Sequence, residues 1–245
     1  MKSLNKNALK TAAVGFVATL FSVAVLASEN PVNLSAKEAD FLTINTVTIT
    51  PVTDSAAAVV NPCWVSLTEC PASLPTPQID NPITTIGNIV ALGMNLWKIV
   101  EAGKPSAHVV SNSVSALPKE NPHWTLMTNW QGPMVKSYHL EALNKLGFKV
   151  VSMDYRVMAY YGGKYKDKGQ FITNLTMFTD NVSVFWGYDL QATAQLMDLV
   201  NTGDDENPVP GVTLQMKWRT DTALQHREGS HAIFIKGDGT AKDLN

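Results

Sequence analysis

The densest group of potential ligands and general bases in the chain is His226-Arg227-Glu228-Gly229-Ser230-His231. Two imidazoles and a carboxylate have the composition of a zinc set. Such a site requires His226, Glu228 and His231 to converge in one cleft, and the same convergence would serve a hydrolase. The local pattern argues against it. Glu228-Gly229 has the composition of a hairpin turn, which would leave the two His near the ends of paired strands.

A second cluster, Asp204, Asp205 and Glu206, offers the oxygen donors that Ca²⁺ requires on a loop. It lacks the alternating register of an EF-hand, so a solvated acidic turn is the plainer expectation. No cofactor is expected, and calcium is the one ion these residues suggest.

The third group is aromatic and basic. Tyr160, Tyr161, Lys164 and Tyr165 fall within ten residues. Tyrosine faces beside lysine suit a glycan, an envelope component or a protein partner, because rigid rings give large contact area at small entropic cost. The alternative is a solvated hairpin tip whose lysines guard a strand edge. Trp124, Trp130, Trp186 and Trp218 could form a sugar platform, but Trp residues at alternating strand positions belong to cores.

Signatures with a known mechanism are missing. The chain holds no G-x-S-x-G, H-E-x-x-H, P-loop or G-x-G-x-x-G. A Ser-His-Asp triad is set by geometry and not by spacing, so it stays open. His108, His123, His139, His226 and His231 are scattered and lend it no local support.

Compartment is written at the N-terminus. Lys2, Lys6 and Lys10 precede an uncharged apolar run over residues 11–27, which ends in Val25-Leu26-Ala27. This is the pattern of an export signal cleaved after Ala27. The run is slightly long for that role, and an uncleaved anchor is the alternative, although spanning helices usually need about 20 apolar residues. No Cys follows the cleavage point, so lipidation there is unsupported. Removing residues 1–27 takes away three Lys and no acid, moving the formal charge from −2 to −5. A mildly acidic exported protein has no electrostatic basis for binding nucleic acid.

Export also decides how Cys63 and Cys70 are read. In an oxidising compartment the pair in NPCWVSLTEC is expected to close a short disulfide loop, worth about 2–3 kcal/mol. Its spacing fits neither a C-x-x-C redox motif nor a zinc knuckle.

The elements that must carry these groups follow from hydrophobic period. Ser35-Ala36-Lys37-Glu38 reads as a capping box opening a short helix. Residues 45–52 alternate as a half-buried strand, and the Pro-rich residues 53–82 read as an irregular stapled segment. Residues 84–102 place Ile86, Ile89, Val90, Gly93, Leu96, Trp97 and Val100 at spacings of three and four, which predicts an amphipathic helix stopped by Gly103 and Pro105. After Pro105 the period falls to two. Strands are expected over residues 106–117, 123–130, 148–161, 171–178, 182–188, 212–219 and 231–236, with a tight turn at Thr179-Asp180-Asn181. Residues 134–146 fit either a helix or two strands joined at residues 144–147, and the alternation over residues 137–140 favours strands.

The expected fold is therefore mainly β: an antiparallel sandwich-like domain with one packed helix near residues 84–102 and a disulfide-stapled loop before it. Its organisation would be a signal peptide over residues 1–27, a strand and irregular Cys/Pro-rich segment over 28–82, and a helix with antiparallel β structure over 83–245. The expected function is an exported, periplasmic or secreted, non-enzymatic binding protein. A membrane-associated or pore-forming β protein and a secreted hydrolase with an unrecognised site are the alternatives.

Overall fold

Alternation of apolar and polar residues commits most of the described residues to strands that bury one face. The computed structural model describes residues 34–53, 82–105 and 112–244. One short helix, α1 (Ala36–Phe41), precedes β1 (Ile44–Val52), β2 (Pro82–Ile86), β3 (Ile89–Gly93), β4 (Leu96–Glu101) and β5 (Lys104–Pro105). Then come β6 (Val114–Pro118), β7 (Gln131–Asn144), β8 (Lys149–Tyr165), β9 (Lys168–Val184), β10 (Tyr188–Asn201), β11 (Pro210–Thr222), β12 (His226–Lys236) and β13 (Ala241–Asp243).

These strands form two sheets among the described residues, in the orders β1-β7-β8-β9-β6-β3-β2 and β13-β12-β11-β10-β4-β5. Every pairing is antiparallel. Both sheets contribute to one apolar core, in which Leu140, Met153, Tyr155, Val157 and Met177 meet Leu190, Leu214, Met216 and Ile233. The arrangement is sandwich-like, and each large apolar side chain it buries contributes about 1.5–3 kcal/mol relative to exposure. All described residues lie within a single unit, Leu34–Asn245.

Several expectations hold. Ser35 caps α1, its Oγ accepting from Glu38 N while Glu38 returns a bond to Ser35 N at 2.8 Å. Residues 134–144 are strand, followed by a turn in which Asn144 Oδ1 accepts from Leu146 N and Phe148 N. Val212, Leu214, Met216 and Trp218 face inward from β11.

The helix expected over residues 84–102 is replaced by β2, β3 and β4. Gly87, at φ +50°, turns the chain between β2 and β3. Gly93, at φ +119°, lies so close to β6 that a Cβ would sit 2.1 Å from Ser113 O. Apolar residues in three short strands happened to fall at helical intervals. The deciding content was β-branched: Thr84, Thr85, Ile86, Ile89, Val90, Ile99 and Val100 favour a pleated surface.

The turn expected at Thr179-Asp180-Asn181 is instead a bulge inside β9. Asp154 pairs with Asn181 and Tyr155 with Thr179, leaving Asp180 as the extra residue, held to Arg156 at 2.7 Å. The chain actually turns at residues 185–187, passing from one sheet to the other. Glu228-Gly229 is likewise mid-strand, the turn before β12 being closed by Thr222 N on Gln225 O. Gly229 is present because Trp218 lies over it: a Cβ would stand 2.6 Å from the indole. Residues 124–126 form a single 3-10 turn where a strand was expected. Cys63, Cys70 and residues 1–27 lie outside the described residues.

Candidate functional site

A polar relay in the interior joins four residues that sequence reading left unconnected. Tyr155 on β8 and His231 on β12 face each other across the core, Oη to Nδ1 at 2.8 Å. Tyr138 on β7 stacks on Tyr155 with ring centroids 5.2 Å apart and donates to Asp243 Oδ1 at 2.6 Å. His231 Nε2 lies 3.5 Å from the same carboxylate oxygen. Placing the imidazole proton on Nε2 gives every donor in the set an acceptor. Burial pushes the His231 imidazole down from its ordinary range, against the opposing pull of Asp243. It pushes both Tyr phenols up. Tyr138, Tyr155 and His231 are essentially sealed from solvent, so no substrate reaches them. This group clamps the short C-terminal strand β13 to the opposite sheet.

His139 is the half-buried counterpart. On the outer face of the first sheet its Nδ1 meets Asp154 Oδ1 at 2.6 Å, and its Nε2 faces Glu141 at 3.7 Å. Glu141 also pairs with Lys149, which holds its carboxyl below the usual range. A hydrolytic triad needs a hydroxyl where Glu141 stands. This is therefore a surface charge network.

His226, Glu228 and His231 do not converge. Strand period places His226 and Glu228 on the outer face and His231 on the inner one. Glu228 instead lines an open cleft of about 510 Å³ on the outer face of the second sheet, with Gln191, Thr193, Lys217, Arg219 and Ser230. Asp204, Asp205 and Glu206 are exposed. Asp204 Oδ1 is spent on the backbone N–H groups of Glu206 and Asn207, at 2.9 and 2.6 Å. Among the described residues no three His, Cys, Asp or Glu side chains are placed to share a metal ion.

Tyr160, Tyr161, Lys164 and Tyr165 are not a loop: all four lie within β8. The hairpin tip is Lys166-Asp167, both at positive φ. Tyr161 packs over Gly239, Tyr165 packs against the core, and Lys166 Nζ sits 4.9 Å from the Tyr165 ring centroid. Trp130 covers Gly163 and donates its indole N–H to Trp124 O. These rings close one end of the molecule.

The two ends differ in chemistry. Around the Lys166-Asp167 tip gather Glu120, which pairs with Lys166, the loop holding Asp204, Asp205 and Glu206, and Asp238. That loop is bound to the tip's own strand by Gln170 N on Pro208 O.

The opposite end is apolar. It consists of α1, the β7–β8 turn, the β9–β10 turn and the β11–β12 turn. These are joined by Lys145 N on Thr43 O, Phe185 N on Val150 O, and Gln225 Nε2 on Ile44 O. Phe41 packs edge-on against Phe185 and Tyr188, with centroids 5.7 and 5.9 Å away. From this base Trp186 projects at 82% exposure, Phe148 at 60% and Phe185 at 56%, with Leu146 and Leu224 exposed beside them. Trp186 was expected in the core. It lies outside because the chain turns at that residue. The three strand turns, residues 144–149, 183–188 and 222–227, contain Lys145, Lys149 and Arg227 but no Asp or Glu. In comparisons with known proteins the chain matches no family model, no curated protein and no solved structure.

Proposed function

We propose that this is an exported, non-enzymatic binding protein of the cell envelope or the secreted pool, and that it engages its partner through the apolar end of the sandwich. The observation carrying the reading is the cluster of Phe148, Phe185 and Trp186, held exposed on two adjoining turns. Water-facing aromatic groups gathered in one place are costly to keep unless something covers them. Scattered single apolar residues need no such explanation. The scaffold beneath is rigid, since Phe41, Tyr188 and the Asn144 side chain lock α1 to the turns, Tyr188 Oη and Asn144 Nδ2 both donating to Phe41 O.

Export rests on the leader-like residues 1–27, and the proposed mature start is Ser28. In that compartment Cys63 and Cys70 form the short disulfide. The side-chain pattern weighs against a membrane-spanning β-barrel. Lipid-facing strands carry apolar residues outward, whereas here Gln191, Gln215, Lys217, Arg219 and Ser230 point out and the apolar side chains point in. The hydrolase reading loses its support with the separation of His226 and Glu228 from His231.

A photoreactive residue placed at position 186, and in a control at position 205, tests the contact surface in exporting cells. The reading expects an adduct at 186 and none at 205. An adduct only at 205 would move the contact surface to the acidic end. N-terminal sequencing of the recovered protein tests export, with Ser28 as the expected first residue.

A further inference from the structure

The chemistry of the apolar end identifies what covers it. The exposed side chains there are Trp186, Phe148, Phe185, Leu146 and Leu224, rimmed by Lys145, Lys149 and Arg227 without an acid in the same turns. Indole and phenyl rings settle at the boundary between headgroups and acyl chains, and flanking cations meet lipid phosphates. The far end mixes the acids Glu120, Asp167, Asp204, Asp205, Glu206 and Asp238 with Lys164, Lys166, Lys168 and Lys236, whereas the turns of the apolar end carry three cations and no acid. That cationic excess favours the apolar end as the one that faces anionic lipid.

We propose that the surface formed by Phe148, Phe185 and Trp186 docks peripherally on a phospholipid bilayer, with the side chains of these turns entering the interfacial region and the sheets remaining outside it. This deepens the contact-surface reading and rests on it. Lys145 and Lys149 tune the docking and do not drive it, since Lys145 lies 3.7 Å from Asp40 and Lys149 is paired with Glu141. Apolar insertion therefore supplies most of the affinity, as for other interfacial apolar anchors.

The test uses residues 28–245, which contain the whole Leu34–Asn245 unit and omit the leader, whose own apolar run would bind lipid. Co-sedimentation is measured with phosphatidylcholine vesicles, with and without phosphatidylglycerol, for wild type, F148S/W186S and K145S/K149S. Melting temperatures check that each variant folds. Should F148S/W186S fail to fold, the single variant W186S takes its place. The proposal expects binding to both vesicle types and a loss of about ten-fold or more for F148S/W186S. K145S/K149S should lose only the gain given by phosphatidylglycerol.

Absence of wild-type binding to either vesicle, or equal binding by wild type and folded F148S/W186S, overturns the proposal. If vesicles are not bound but position 186 still yields a protein adduct in cells, the lipid assignment fails while the contact surface stands. If neither vesicle binding nor an adduct at 186 is found, both fail.

Discussion

Trp97 on β4 donates its indole N–H to the main-chain oxygen of Met177 on β9 at 2.9 Å, a bond that ties one sheet to the other through the core. The donor is buried, and its acceptor lies on a long central strand. Phenylalanine at this position keeps most of the apolar area but leaves the carbonyl without that donor. Trp97→Phe should therefore lower unfolding free energy by about 1–3 kcal/mol, read from the midpoint of a urea titration at unchanged slope.

Acidification acts through His231. Burial lowers its affinity for protons in the folded protein relative to the ordinary value of 6.5, so the unfolded chain binds more protons in that range. Stability from this group is fully present above about pH 6.5 and is lost as pH falls toward the folded value. The groups facing the imidazole are Tyr138, Tyr155 and Asp243. Unfolding midpoints compared at about pH 7.5 and about pH 5.5 should fall on acidification, and the fall should shrink in His231→Asn. Equal falls in the two proteins would remove His231 as the cause.

Close packing at Gly237 gives a sharper case. Its N–H donates to Pro210 O and its oxygen accepts from Gly162 N, both at 2.8 Å, and a Cβ would lie 1.7 Å from Gln170 O. The obstacle is backbone, which cannot swing aside. Gly237→Ala should cost about 3 kcal/mol or prevent folding. Gly147, at φ +80° with open space around it, should accept Asn at about 1 kcal/mol or less. Thermal melts of the two variants make the comparison.

Thiol chemistry tests the proposed disulfide. Denatured, unreduced protein recovered from an exporting host should show no thiol that reacts with maleimide, and two after reduction. Cys63→Ser should expose Cys70 to labelling. Two free thiols in the unreduced wild type would contradict the bridge.

How much of this could be read from residue order depended on element length. Strands with long unbroken alternation, such as the one carrying Val212, Leu214, Met216 and Trp218, were legible because period two persists over many residues. Residues 84–102 were not. Three strands of five or six residues each are too short to display a period, and their inward residues mimicked a helical stripe. Gly93 was counted on the helical stripe, yet it and Gly87 adopt conformations a helix excludes. Composition misled at Thr179-Asp180-Asn181, where turn-forming residues serve a bulge, and at Glu228-Gly229, where glycine makes room for an indole. The aromatic end was invisible for a related reason. Phe41, Phe148 and the adjacent pair Phe185 and Trp186 are far apart in sequence, and only strand pairing brings their turns together.

Docking through the aromatic end is tested most directly by the fluorescence of Trp186 on vesicles whose phospholipid acyl chains carry bromine, a short-range quencher. Trp124 and Trp130 at the opposite end, Trp97 and Trp218 in the core, and Trp64 outside the described residues supply the background emission. Wild-type emission should fall on these vesicles relative to unlabelled ones, and Trp186→Phe should abolish most of that fall while keeping vesicle binding. Quenching that persists undiminished in Trp186→Phe would place other tryptophans at the lipid and contradict the account.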